Sequence, residues 1–183
     1  QITDQGMSGE IHIADSLRGR FALAQPTTQA LQQVAERMPQ LVTSGLADML
    51  ARLRQRFPSL RVFIVSAGSL QCIHQVAPLL DIPLDNCRGF STVADAEGRC
   101  SIPDGDVALQ SKSETVRQMV EEGLLVAPVL CVGDGYTDME IRLQGNADFA
   151  VGFGVHVQRE RTRQVADAFV ETLQECEQVL QEQ

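Results

Sequence analysis

Val129-Leu130-Cys131-Val132-Gly133-Asp134-Gly135-Tyr136-Thr137-Asp138-Met139-Glu140 is the stretch whose reading decides the fold. Its apolar opening reads as a buried strand, Gly-Asp-Gly as a turn, and Thr137 with Glu140 three residues on as a capping box that starts a helix. Working outward, the same alternation recurs. Upstream, an amphipathic helix with Leu46, Met49, Leu50 and Leu53 precedes the run Arg61-Val62-Phe63-Ile64-Val65, which ends in Ser66. A helix after Ser69 presents Leu70, Ile73, Ala77 and Leu80, Arg88 to Asp104 reads as a hairpin around Asp95-Ala96-Glu97-Gly98, and a further helix starts at Lys112. Downstream come a short helix from Thr137, a strand Phe149-Ala150-Val151, and a closing helix striped by Phe169, Leu173, Cys176 and Leu180. Strands separated by helices imply an α/β fold with a Rossmann-like parallel sheet. The opening third is helical instead: Ile13, Leu17 and Phe21 share one face, and Thr27 caps a helix carrying Leu31, Val34, Ala35 and Met38, closed by Pro39. The expected division is a helical cap over 1–42 and an α/β core over 43–183.

The 183 residues are 44% hydrophobic, enough for one sizeable core. The apolar run from Leu124 to Val132 is far shorter than the roughly 20 residues of a membrane span, so no membrane partner is expected. A net charge of −9 with no basic cluster argues against nucleic acid, whose affinity comes from massed Lys and Arg. Five cysteines, an odd number with none at Cys-x-x-Cys spacing, fit reduced thiols in a cytoplasm. A small molecule is the expected partner. Gly152-Phe153-Gly154 lacks the third glycine of a dinucleotide loop, with Val157 in its place, and the three histidines are scattered.

In parallel α/β sheets ligands bind beyond the carboxyl ends of the strands, so those ends hold the candidates. Asp134 and Asp138, four apart where a strand becomes a helix, outline a Mg²⁺ site, since that ion takes one or two carboxylates plus phosphate oxygens. The plainer reading of the same residues is a turn and a helix cap. Ser66 is followed by the small residues Ala67 and Gly68, which let backbone N–H groups and a hydroxyl approach an anion. A serine in an ordinary turn is the alternative there. The chain has a single lysine, Lys112, held at a helix start by a Ser111/Glu114 capping box, where the dipole favours an acid. A cation in that position points to an anionic partner.

Ser66, Lys112 and Gly133-Asp134-Gly135-x-x-Asp138, in that order, resemble motifs two to four of the haloacid dehalogenase superfamily. More narrowly the chain resembles its phosphoserine phosphatases of the eukaryotic type along almost its whole length. Gly6-Met7-Ser8-Gly9, Ser16-Leu17-Arg18-Gly19-Arg20, Ile64-Val65-Ser66-Ala67-Gly68, Gly133 to Glu140 and Val151-Gly152-Phe153-Gly154 all match. The resemblance implies Mg²⁺-dependent hydrolysis of O-phospho-L-serine through an aspartyl-phosphate, in serine biosynthesis. It makes Asp134 the metal ligand, supported by Asp138. Ser66, Ala67, Gly68 and Lys112 would hold the phosphoryl group, with Thr137 beside it, and Met7, Ser8 and Arg20 would recognise the serine part. Arg suits that last task because its fork grips a carboxylate bidentately. A homodimer is a further assembly to consider.

Three residues depart from the pattern: Ile13 stands where an aromatic is usual, and Ser8 and Ala67 replace common glycines. The family's opening strand, which ends in Asp-x-Asp and supplies the nucleophile and the general acid/base, has no counterpart in these 183 residues. That strand is central to the family's sheet, and without it two strand edges would stand unpaired, so it is expected upstream of Gln1. Two rival readings stay open. One is a phosphatase or phosphotransferase for another small phosphomonoester, and the other is a phosphate-binding module without catalysis.

Overall fold

The computed structural model describes residues 2–183, with the side chains of Met7, Ser8 and Val107 outside the description. In chain order its helices and strands are α1 (Ile2–Ser8), α2 (Ile13–Ala24), α3 (Thr28–Arg37), α4 (Leu46–Arg56), β1 (Ile64–Ser69), α5 (Leu70–Val76), β2 (Cys87–Phe90), β3 (Val93–Ala94), β4 (Cys100–Ser101), α6 (Lys112–Glu121), β5 (Leu130–Gly133), α7 (Tyr136–Leu143), β6 (Phe149–Phe153), α8 (Glu160–Val165), β7 (Ala168–Val170) and α9 (Leu173–Glu182). They form two compact units. One is Ile13–Gln110 with Ile2, and the other is Thr3–His12 with Ser111–Gln183.

In the first unit α2 buries Ala14 and Leu17 against Phe90, Ala108 and Leu109, and Phe21 meets Phe90 edge-on at 5.3 Å between ring centres. The Thr27 hydroxyl accepts from the Ala30 N–H at 3.2 Å, which starts α3 where the sequence places its cap. β1 and β2 pair in parallel, Ile64 with Cys87 and Val65 with Arg88; the register then shifts before Ser69 meets Phe90. β1 therefore runs through Ser66 instead of stopping there. Ser66, Ala67 and Gly68 occupy the irregular stretch, and Ser69 caps α5 by accepting from the Gln71 N–H at 3.2 Å. The hairpin is shorter than expected: only β3 and β4 pair antiparallel, while Cys87–Phe90 belongs to the parallel sheet. Its turn is held by the Asp95 carboxylate, which accepts from the N–H groups of Glu97 and Arg99.

The second unit is built on a parallel sheet in the order β5-β6-β7. Ala150 and Val151 in the middle strand are fully buried. Gly152 and Gly154 let the Phe169 ring lie flat on that strand, since a Cβ at either would come within 2.6 Å of it. Phe169 thus sits on β7 and not on the closing helix, whose buried anchor is Cys176. β5 is not the fully buried strand its composition implies; Val132 is 43% exposed because β5 lies at the edge of its sheet. Among the described residues β1 and β5, the two strands that lead into the candidate motifs, are each paired on one side only. The β1-β2 and β5-β6-β7 sheets are parallel with helical crossovers, and the fold is α/β of the Rossmann-like kind.

Two caps differ from expectation. α7 begins one residue early, at Tyr136, and its box is closed by Asp138, whose Oδ2 accepts from the Gly135 N–H at 3.0 Å. Thr137 and Glu140 take no part in it. At α6 the Ser111 hydroxyl does accept from the Glu114 N–H at 3.1 Å. The Glu114 carboxylate turns to Arg117 instead of back to Ser111, because a charge-assisted pair outweighs a single backbone bond.

Candidate active site at the strand ends

Gly133, the last residue of β5, has no side chain, and Asp138 uses the space: a Cβ on Gly133 would lie 2.1 Å from Asp138 Cγ. The Asp138 carboxylate thereby folds back over the strand end. Its Oδ1 accepts from Lys112 Nζ at 2.6 Å while Oδ2 caps α7. The two side chains are only 15% and 10% exposed. A cation at the first turn of α6 opposes that helix's dipole, and the buried carboxylate offsets the conflict. The sole lysine of the chain is thus held by the aspartate that caps α7.

Asp134 is placed differently. Its side chain is 42% exposed, and its Oδ2 accepts from Arg159 Nη1. Its main-chain oxygen accepts from the same Nη1 at 3.2 Å and from the Thr162 hydroxyl at 3.1 Å. A carboxylate that is accessible and keeps one oxygen clear suits a hard cation. No group of three or more His, Cys, Asp or Glu side chains converges on a cation site among the described residues. A Mg²⁺ here would therefore take Asp134 as a protein ligand and complete its shell with water and substrate oxygens, as that ion commonly does. Thr137, on the first turn of α7, has a buried hydroxyl with no partner among the described residues. An orphaned buried hydroxyl of that kind is available to a water or a ligand oxygen. Beside it the Tyr136 ring lies under the Arg161 guanidinium at 3.6 Å and against Gly9, whose backbone adopts φ +74°. Further along α7, burial pushes the Glu140 carboxyl above its ordinary range, with Arg161 and His12 pulling the other way.

The remaining candidates stand in the other unit. The Ser66 hydroxyl accepts from the Gly68 N–H at 2.9 Å, forming a tight turn inside β1. Gly89 on β2 makes this possible, because a Cβ there would come within 2.6 Å of the Gly68 carbonyl oxygen. Arg20 on α2 is half-buried, its Nε has no partner among the described residues, and burial pulls its pKa below the ordinary arginine range. Met7 and Ser8 end α1, and their side chains lie outside the described residues. Lys112, Asp134, Thr137 and Asp138 are therefore gathered in one unit, while Arg20, Ser66, Ala67 and Gly68 belong to the other. Arg159 and Thr162 were not foreseen. No spacing in the sequence marks them; they reach Asp134 from 25 and 28 residues away through the turn into α8.

No family model matches the chain. Phosphoserine phosphatase of Mus musculus is 29% identical over 187 residues, covering 97% of this chain and 80% of the relative. A phosphoserine phosphohydrolase-like protein from Francisella tularensis superposes with a TM-score of 0.89 at 27% identity, over 98% of this chain and 82% of that one. The chain has the fold of the phosphoserine phosphatases. That haloacid dehalogenase-like fold also covers 97% of the chain, with a TM-score of 0.76, in a structure described as the phospho-aspartyl intermediate analogue of phosphoserine phosphatase. At 18% identity that likeness concerns the fold alone.

Proposed function

We propose that the chain hydrolyses O-phospho-L-serine to L-serine and phosphate, as a Mg²⁺-dependent phosphoric monoester hydrolase. The observation that carries this reading is the Lys112–Asp138 pair locked beside the accessible Asp134 at the end of β5, in a chain whose relatives along nearly its whole length are phosphoserine phosphatases. A carboxylate nucleophile attacks phosphorus, the bond from phosphorus to the serine oxygen breaks, and that oxygen takes a proton from a neighbouring acid. Water then attacks the aspartyl-phosphate, giving its proton to the same group, and inorganic phosphate leaves. This reading takes the nucleophile and the acid from an Asp-x-Asp motif of the kind the family resemblance implies.

Within the chain, Lys112 neutralises phosphoryl charge and Asp138 holds the lysine where it can do so. Ser66, Ala67, Gly68 and Thr137 supply hydroxyl and N–H donors to the phosphoryl oxygens, a role supported by the unpartnered Thr137 hydroxyl. Asp134 would hold Mg²⁺, which supplies charge neutralisation at the phosphoryl oxygens when bound. Arg20 grips the substrate carboxylate, and Met7 and Ser8 are assigned to the same serine part; a half-buried guanidinium whose Nε has no partner among the described residues supports the role of Arg20. Residues 1–42 act as the cap and 43–183 as the core. We place the protein in the cytoplasm, in keeping with five cysteines that are all free, and allow it a homodimer. No helix among the described residues is long and apolar enough to cross a membrane.

Comparing kcat/KM for phosphoserine and phosphoethanolamine in the gene's full product tests the reading. Phosphoserine is expected to be strongly preferred, and Arg20→Ala to erase that preference. Equal turnover of both esters by the unaltered protein would assign it to another small phosphomonoester.

A further inference from the structure

We propose that Arg159 is a positioning residue for the metal-binding carboxylate of Asp134, a role that rests on the reading of Asp134 as the Mg²⁺ ligand. One guanidinium nitrogen, Nη1, donates to both the Oδ2 and the main-chain oxygen of the same aspartate. A single group thereby fixes the side-chain rotamer and the peptide plane of the turn together. Thr162, fully buried, donates to the same main-chain oxygen at 3.1 Å, so two residues of the α8 turn grip one residue of the β5 turn. Among the described residues Asp134 Oδ1 accepts no hydrogen bond, which leaves one carboxylate oxygen clear for a cation. Without Arg159 a side chain 42% exposed would be free to rotate.

Two effects compete at such a site. A guanidinium repels an incoming dication, while an oriented carboxylate spares the ion the entropy of ordering its ligand. Arg159 is itself 25% exposed and its charge is already matched by Asp134, so the repulsion is screened, and the orientation decides the sign. Hydrogen-bond partners that orient metal-ligating groups are worth about 10- to 100-fold in metal affinity.

The experiment titrates Mg²⁺ by calorimetry into the gene's full product and its Arg159→Ala, Arg159→Gln, Arg159→Lys and Asp134→Asn variants, with circular dichroism as a check of folding. Asp134→Asn is expected to abolish Mg²⁺ binding. Arg159→Ala and Arg159→Gln are expected to weaken it about tenfold or more, with Arg159→Lys in between. At saturating Mg²⁺ the kcat of folded Arg159 variants should return close to the starting value, which a role in general stability would not produce. If Arg159→Ala does not fold, the polar Gln variant and the Lys variant carry the test. Unchanged or tighter Mg²⁺ binding in a folded Arg159 variant, with Asp134→Asn still abolishing it, overturns this inference alone. Unchanged binding in Asp134→Asn overturns the reading of Asp134 and the inference with it.

Discussion

At the end of β5 the turn is built from charge: Lys112, Asp138, Asp134 and Arg159 form two ion pairs around Gly133 and Gly135. Inside β1 the irregular turn Ser66-Ala67-Gly68 is neutral and closes on itself through one bond from the Gly68 N–H to the Ser66 hydroxyl. The two turns satisfy their own polar groups in opposite ways. A neutral turn satisfies its donors internally and gives up one modest hydrogen bond when an anion arrives. A buried charge has no such option, since desolvation without a partner costs several kcal/mol, and it must be neutralised in the resting protein. The β5 turn is therefore expected to couple function to stability, and the β1 turn to separate them.

The largest effect should come from breaking the charged turn at its centre. Lys112→Met leaves the Asp138 carboxylate buried with no cation, a loss of about 3–5 kcal/mol of stability, together with loss of measurable phosphoserine turnover. Pairing it with Asp138→Asn should restore much of the stability and none of the activity. Thermal melts and kcat/KM on the single and double variants separate the two losses. A double variant no more stable than Lys112→Met would mean the pair is not the source of the coupling.

Gly133→Ala attacks the same turn through space instead of charge. With Asp138 Cγ 2.1 Å from the new Cβ, either the strand end or the carboxylate must move, and about 3 kcal/mol is the expected cost. Gly98→Ala in the β3–β4 turn is the control, because its Cβ would meet nothing within 4 Å and only its φ of +76° resists, at about 1–2 kcal/mol. Chemical denaturation of both variants checks the order. Equal losses would show that Asp138 gives way at little cost.

How much of this contrast was legible before the structure depends on how local each feature is. The β5 turn was legible because an apolar run, Gly-Asp-Gly and two acids four apart lie within ten residues, and the caps of α3 and α6 because Thr27 and Ser111 act on N–H groups three residues away. The sequence misplaced the end of β1, since Ser, Ala and Gly have weak strand preference and only the neighbouring β2, with Gly89 allowing close approach, holds them extended. It missed α8 and β7 altogether. Glu160–Val165 carries three charged residues and no apolar stripe, and its anchor is Thr162, a polar residue buried for a hydrogen bond to a distant turn. The aggregate site depends on ion pairs such as Arg159 to Asp134, which no periodicity encodes.

A smaller effect is expected from the neutral turn. Ser66→Ala removes the hydroxyl that accepts from Gly68 N–H, at about 1 kcal/mol of stability. The same hydroxyl is proposed to contact phosphate, so inorganic phosphate affinity should fall about tenfold while the melt moves little. A stability loss as large as that of Lys112→Met would erase the distinction between the two turns.

The smallest effect concerns pH and reaches the far end of the charged turn. Burial raises the pKa of Glu140 above its unfolded value, against the opposing pull of Arg161 and His12. A carboxyl with a raised folded pKa binds more protons folded than unfolded. Whatever stability it lends is present below the unfolded pKa and is lost as pH rises through the folded value. Glu140→Gln cannot titrate, so the variant should gain on the unaltered protein as pH is raised from about 4 to about 7. Melting both proteins side by side across that range, without Mg²⁺ so that ion binding at Asp134 does not move with pH, isolates this one group. A gap between the two curves that stays constant would mean that Arg161 and His12 fully compensate the burial. Glu140 would then belong with the neutralised charges of Asp138 and Asp134, and not with the groups that burial leaves strained.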